Sequence, residues 1–147
     1  MTHAPPPAAA EDVEARVRAS FARQPAMALI GANLLRIAPG EVDLGFTHRA
    51  DLTQQNGFIH AGVLSMAADS ACGYAAFTLM PAGADVLSVE FKLNLLRPAA
   101  GARYIARATV LKPGRTITAT RADVFALSAD GSETLVAAMQ ATMITRT

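Results

Sequence analysis

Between Asp51 and Asp85 the only charged side chain is Asp69, set within His60-Ala-Gly-Val-Leu-Ser-Met-Ala-Ala-Asp69-Ser-Ala-Cys-Gly-Tyr. An ionised carboxylate in apolar surroundings costs several kcal/mol unless something pairs with it. Asp69 therefore either bonds a backbone group or an arginine such as Arg97 or Arg103, or it does chemistry as a base or nucleophile. On a helix, residues three and four apart share a face, which puts Gly62, Ser65, Asp69, Cys72 or Gly73, and Ala76 on one small, polar stripe able to line a pocket. Leu64, Ala68, Ala71, Ala75 and Leu79 form the apolar side. If the helix starts near His60, the backbone N–H groups of Ala61 and Gly62 are free at the positive end of its dipole and can receive a developing oxyanion. Gly62 also permits close approach, by a substrate or by a strand passing over it. Ala61 and Asp69 stand eight residues apart, about 12 Å along a helix axis, so one helix does not bring both to the same carbonyl. Two subunits paired about a two-fold axis would, giving two equivalent sites at their interface.

The elements that must position these groups follow from periodicity. Glu11 to Gln24 repeats Val13, Val17 and Phe21 at helical spacing, and Pro25 blocks its continuation. Asn33 to Ile37 and Glu41 to His48 read as a hairpin around Ala38-Pro-Gly40. A mostly polar stretch from Arg49 leads to the apolar helix, which Pro81 and Gly83 end. Four strands follow: Leu87 to Leu95, Arg103 to Leu111, Thr116 to Leu127, and Glu133 or Thr134 to Ile144. In the first of these, Leu87, Val89, Phe91, Leu93 and Leu95 share one face and Ser88, Glu90, Lys92 and Asn94 the other. Short turns make neighbours antiparallel. An antiparallel sheet of five to six strands with one long helix buries that helix by curling around it, and the small residues Ala61, Ala67, Ala68, Ala71, Ala75 and Ala76 suit close wrapping. This is the α+β hotdog arrangement, with a short N-terminal helix added.

With 147 residues, 52% of them hydrophobic, the chain is the size of one domain, expected over residues 11–147 behind a loose Pro- and Ala-rich tail at 1–10. A formal net charge of +1 without runs of either sign leaves no footprint for nucleic acid or an anionic membrane. Asp69, the serines and the glycines argue against a membrane span at His60 to Met80. The single cysteine, Cys72, excludes an intramolecular disulfide and a Cys-based zinc site, and the three histidines lack metal spacing. Cytoplasmic residence, no metal and no cofactor are the expectations.

Gln54-Gln-Asn56-Gly-Phe-Ile-His60-Ala-Gly62 and Ala68-Asp69-Ser-Ala-Cys-Gly73-Tyr-Ala-Ala76 resemble the signature of hotdog-fold acyl-CoA thioesterases, of the phenylacetic-acid-pathway (PaaI-like) and 4-hydroxybenzoyl-CoA thioesterase type. Leu87 to Pro98 and Val110 to Arg115 look like that family's central strand and following hairpin, so the resemblance runs from about Ala32 to the end. It implies hydrolysis of an acyl-CoA, aryl or of short to medium chain, to a carboxylic acid and coenzyme A. Asp69 falls on the family's acidic residue, nucleophile or general base. Gln54 matches a side-chain amide near the reacting carbonyl or water, Ala61 the residue whose N–H polarises the carbonyl, and Ser88 lies where some members hold a water-orienting hydroxyl. Asn56, Ser65, Gly73 and Arg115 are candidates for substrate contact. Two departures stand out: His60-Ala61-Gly62 replaces His-Gly-Gly, harmless if only the N–H acts, and Gly73 stands where some members have a Thr that assists the nucleophile.

The chemistry needs little else. A thioester carbonyl is electrophilic and a thiolate leaves without a strong acid, so one carboxylate plus oxyanion donors can suffice, with coenzyme A present only as part of the substrate. Burial of Asp69 predicts activity that falls below a mildly acidic pH. His60 either works as an acid–base group or fixes the loop carrying Gln54, and Cys72 reads as a small core residue. Arg97, Arg103, Arg107, Lys112 and Arg115 either meet the phosphates of coenzyme A or are solvated. Two other functions stay open. One is a non-catalytic hotdog protein that binds an acyl thioester. The other is an acyl-thioester hydratase/dehydratase, against which stand the missing Phe-Pro-Gly loop and a His60–Asp69 spacing that is not i, i+4. A homodimer or homotetramer completes the expectation.

Overall fold

A computed structural model of the protein describes residues 12–147; the expected tail at 1–10 and the first residue of the expected N-terminal helix lie outside them. In chain order the elements are α1 (Val13–Ala22), α2 (Pro25–Ile30), β1 (Asn33–Ala38), β2 (Glu41–Thr47), α3 (Ala61–Phe77), β3 (Asp85–Leu95), β4 (Arg103–Lys112), β5 (Ile117–Leu127) and β6 (Glu133–Arg146), with a 3-10 turn at Ala50–Leu52. The six strands form one antiparallel sheet in the order β1-β2-β4-β5-β6-β3, curled around α3. This is the hotdog fold.

Close wrapping follows from the small side chains of α3. Ala67, Ala68, Ala71, Cys72 and Ala75 are fully buried, in one hydrophobic core with Val42, Leu44, Ala106, Val124 and Met139 of the sheet. Leu79 lies beyond the last helical residue and is exposed, so it does not extend the apolar face as expected. The end of the helix is tied to the β1–β2 turn: Thr78 Oγ donates to the Ala75 carbonyl at 2.7 Å and accepts the Gly40 N–H at 2.8 Å. Gly40 holds φ +73°, which a side chain would strain. Arg16 of α1 caps the same end, donating to the carbonyls of Phe77, Met80 and Pro81 at 2.9, 3.0 and 2.9 Å, with its guanidinium 4.4 Å from the centre of the Phe77 ring.

Three features differ from expectation. Pro25 ends α1 but occupies the first turn of a second helix, α2, because a proline lacks only an N–H that is unpaired at a helix start. Strands β3 and β4 are not neighbours despite the short connection: the β5–β6 hairpin lies between them, and residues 96–102 cross the mouth of the sheet. That crossing is pinned by the buried Tyr104 hydroxyl, 3.0 and 3.2 Å from the Ala99 and Gly101 carbonyls, and by Ile59 N–H donating to Ala99. Finally, β3 carries a bulge between Ser88 and Glu90, so Ser88 faces Met143 while Glu90 faces Thr142. Alternation breaks there, and Leu87 joins the Glu90 and Lys92 face while Ser88 joins the inner face of Phe91, Leu93 and Leu95.

Candidate active site

Asp69 lies halfway along α3 and is half-buried. Its carboxylate accepts the Ser88 hydroxyl at 2.6 Å, and among the described residues no arginine forms an ion pair with it. The bulge in β3 makes this contact possible: without the extra residue, Ser88 would point away from the helix. Ser88 Oγ also touches Met143 Sδ at 3.4 Å. Asp69, Gly73 and Ser88 open into a pocket of ≈ 410 Å³, whose far wall is built by Ser20, Gln24 and Tyr74. At Gly73 an added Cβ would meet nothing within 4 Å, so the missing side chain enlarges this pocket and is not demanded by the backbone.

The start of α3 forms a second locus. His60 is its N-cap, with extended φ −60° and ψ 138°, and its Nδ1 accepts the Gly62 N–H at 2.8 Å. The Gly62 amide is therefore engaged by the cap. The Ala61 N–H, by contrast, has no partner among the described residues. Ala61 and Gln54 line a pocket of ≈ 430 Å³ together with Leu64, Leu95, Arg97 and Pro98. Gln54 sits at the head of the turn closed by Gly57, and its Oε1 accepts the Asn56 N–H, so its amide nitrogen keeps its capacity to donate.

The remaining expected site residues divide. Asn56 is exposed in the Gln54 turn and lines neither pocket. Ser65 donates to the Ala61 carbonyl at 2.9 Å, so its hydroxyl is spent inside the helix. Arg115 lines a separate pocket of ≈ 180 Å³ at the other end of α3, near Met80 and Thr145. Cys72 is buried, and burial pushes its thiol up to about 12, a Thr120 hydrogen bond opposing and the Asp69 charge adding, which excludes it as a nucleophile. Among the described residues no three His, Cys, Asp or Glu side chains gather as metal ligands, and no helix is long and apolar enough to cross a membrane.

A family model described as the thioesterase superfamily matches residues 56–130. The solved structure of a thioesterase family protein from Silicibacter pomeroyi is 51% identical, with a TM-score of 0.88, covering 90% of this chain and 97% of that one. This chain belongs to the thioesterase superfamily. It is a thioester hydrolase. The phenylacetic acid degradation protein PaaI from Thermus thermophilus, solved as a single-site mutant, is 33% identical with a TM-score of 0.70, covering 82% of this chain and 98% of that one. The Escherichia coli PaaI protein from the phenylacetic acid degradation operon, 17% identical, shares the fold at a TM-score of 0.80, covering 92% and 94% of the two chains. No curated protein matches. In this thioesterase the family match spans Ala61, Asp69 and Ser88, whereas Gln54 and the α1–α2 wall of the Asp69 pocket precede it. Sequence reasoning passed over that wall because Ser20 sits in an ordinary amphipathic helix and Gln24 at the N-cap of the next, with no motif around them.

Proposed function

We propose that this thioesterase hydrolyses an acyl-CoA, aryl or of short to medium chain, at a site completed by two subunits. The observation that carries this reading is the division of labour along β3. Its first four residues, Asp85 to Ser88, line the pocket of Asp69, and its last residue, Leu95, lines the pocket of Ala61 and Gln54. β3 is also a free edge of the sheet, with Val89, Phe91 and Leu95 54, 43 and 56% exposed. A free edge bearing apolar side chains invites pairing with another strand. When two β3 edges pair antiparallel about a two-fold axis, the first half of one runs beside the end of the other. The Asp69 pocket of one subunit then abuts the Ala61 pocket of its partner, so the carboxylate and the oxyanion donor meet across the interface.

In that assembly the thioester carbonyl oxygen accepts the Ala61 N–H, with the Gln54 amide as a second donor. Asp69 takes a proton from water as the water oxygen attacks the carbonyl carbon, and the tetrahedral intermediate expels coenzyme A as its thiolate. Ser88 holds the carboxylate in place. The alternative, direct attack by Asp69, gives a mixed anhydride that water then hydrolyses; Gly73 supplies no hydroxyl to assist it. His60 acts as the cap that aims the Ala61 amide, a positioning role. Protein PaaI of T. thermophilus, named for phenylacetic acid degradation, favours the aryl end of the substrate range. Thiol release from short-, medium-, long-chain and aryl acyl-CoA esters tests the reading: turnover of a subset is expected, and no turnover of any ester contradicts it.

A further inference from the structure

The residues that lead into α3 are tied down by three sets of backbone bonds. His60 N–H donates to the Leu52 carbonyl at 3.0 Å, Thr53 and Ile59 form an isolated antiparallel bridge, and Ile59 N–H donates to the Ala99 carbonyl at 3.1 Å. The first two stay inside the stretch 50–60, which holds no strand of the sheet. The third reaches the crossing segment, whose Leu96, Arg97, Pro98 and Ala99 wall the Ala61 pocket. Both ends of that segment are fastened to strands by backbone bonds: the Leu96 N–H donates to Val136 and the Ala102 N–H to Leu127, each at 2.8 Å. Between Pro98 and Gly101, among the described residues, the hydrogen-bonded tie to a strand is the Tyr104 hydroxyl, 3.0 Å from the Ala99 carbonyl and 3.2 Å from that of Gly101. Tyr104 is a rigid anchor. It sits on β4 between Phe46 of β2 and Ala126 of β5, it is fully buried, and its ring stacks on Phe46 at 5.0 Å and 18°. His48 Nδ1, 3.3 Å from the same hydroxyl, can donate to its oxygen, which leaves the hydroxyl hydrogen for the carbonyls. Burial raises the phenol above its ordinary value, the Gly101 bond opposing, so the hydroxyl keeps that hydrogen below pH 10.0.

We infer that Tyr104 is a positioning residue for the reaction: its hydroxyl, acting through the Ala99 carbonyl and the Ile59 N–H, holds the start of α3 where the Ala61 amide meets the thioester oxygen. The inference rests on the proposed reading in which that amide is an oxyanion donor. The Ala99 carbonyl accepts both the Tyr104 hydroxyl and the Ile59 N–H, so a shift of Ala99 is passed to Ile59, two residues before Ala61. An oxyanion donor works by being fixed before charge develops on the oxygen, and a misplacement on the order of 1 Å can cost about 10²-fold in rate. Tyr104 touches no substrate in this arrangement, because it stands behind the pocket wall that Ala99 forms and does not line the pocket itself.

The test is a double-mutant cycle of Tyr104→Phe, which keeps the ring stacked on Phe46, and Ala61→Pro, which removes the amide hydrogen, read as thiol release from the best acyl-CoA ester of the wild type. In the wild-type background Tyr104→Phe should lower kcat and kcat/KM together, roughly ten-fold, with KM little changed, because an interaction made in the transition state is weakened. In the Ala61→Pro background the same substitution should change the residual rate by less than about two-fold, since no amide is left to position. A ten-fold loss in both backgrounds would overturn the inference, because Tyr104 would then support the fold in general. Unchanged kcat in Tyr104→Phe alone would overturn it too, leaving the oxyanion reading intact. Full activity of Ala61→Pro would overturn the oxyanion reading and this inference with it. Hydrogen exchange read by mass spectrometry decides the matter even where Tyr104→Phe is less stable: faster exchange confined to residues 54–64 is expected, and an equal rise across α3 and β4 to β6 would overturn the inference.

Discussion

Replacing Ala61 with proline removes one hydrogen and little else. Ala61 is the first residue of α3, where proline's fixed φ suits the helix and its absent N–H breaks no bond, since that amide has no partner among the described residues. His60, immediately before it, already holds the extended conformation that a following proline requires, and its cap to Gly62 is untouched. The fold should survive with a change in stability under about 1 kcal/mol. Catalysis should not if that amide is the oxyanion donor proposed, since loss of one such donor costs about 10²–10³ in kcat. Asp69→Asn removes the proposed base at the other pocket and should cost about 10²–10⁴. Each variant alone is then nearly inert. If the site takes Asp69 from one subunit and Ala61 from the other, a heterodimer of the two variants holds one site with both groups intact and one with neither. Random reassortment of equal amounts makes about half the dimers mixed, so about a quarter of wild-type activity returns. The assay is thiol release after the two variants are unfolded together in urea and refolded, or co-expressed. Were both groups to serve within one chain, every site in the mixture would lack one of them and activity would stay at the level of the parents. That result would refute the interface argument.

Other consequences follow from the same contacts. Ser88→Ala removes the 2.6 Å donor to the Asp69 carboxylate, and a bond to a charged group is worth about 1.5–3 kcal/mol, so kcat should fall roughly 10- to 100-fold with KM little changed; steady-state kinetics check this. Gly73→Ala adds a methyl where nothing lies within 4 Å, so replacing a mid-helix glycine should stabilise by about 0.5–1 kcal/mol, read as a rise of a few degrees in Tm. The Cys72 thiol, raised to about 12 from 9.0, is ionised in roughly one molecule in ten thousand at pH 8, so native protein should resist iodoacetamide and urea-unfolded protein should take one label by mass spectrometry. The same shift favours the fold fully below pH 9.0 and loses its effect as pH rises toward about 12, because the unfolded thiol ionises first; denaturation midpoints should decline across that window.

The fold was legible because its two periodicities are unambiguous. The run from Ala61 to Phe77 is too apolar and too rich in alanine to be anything but a wrapped helix, and β4 to β6 alternate with tight turns between them. Local pattern misled where one residue changes the count. The bulge in β3 inserts an extra position, so strict alternation put Ser88 on the face of Glu90, Lys92 and Asn94, and a serine and a valine near the start of an expected strand carry no mark of a bulge. Pro25 reads equally as the end of one helix and the start of the next. At the site, Asp69 stood out through its isolation, and the free Ala61 amide through the position of the helix start. Gly62 and Ser65 were overcounted because spacing reveals which face a residue occupies and not which hydrogen bonds it has already made. The pairing of Asp69 with Ser88, and the hydrogen bond that Gln24 Nε2 donates to the Tyr74 hydroxyl, join residues 19 and 50 positions apart, a separation to which no local pattern speaks.

Asp69 carries the central claim, and the most direct measurement compares wild type with Asp69→Asn on the acyl-CoA ester that the wild type hydrolyses best, following thiol release and, by calorimetry, binding of the same ester. The account predicts that release collapses by about 10²-fold or more while the ester still binds, because the amide is isosteric and keeps the Ser88 contact. Equal release by the two proteins would contradict it and leave Asp69 as a structural partner of Ser88.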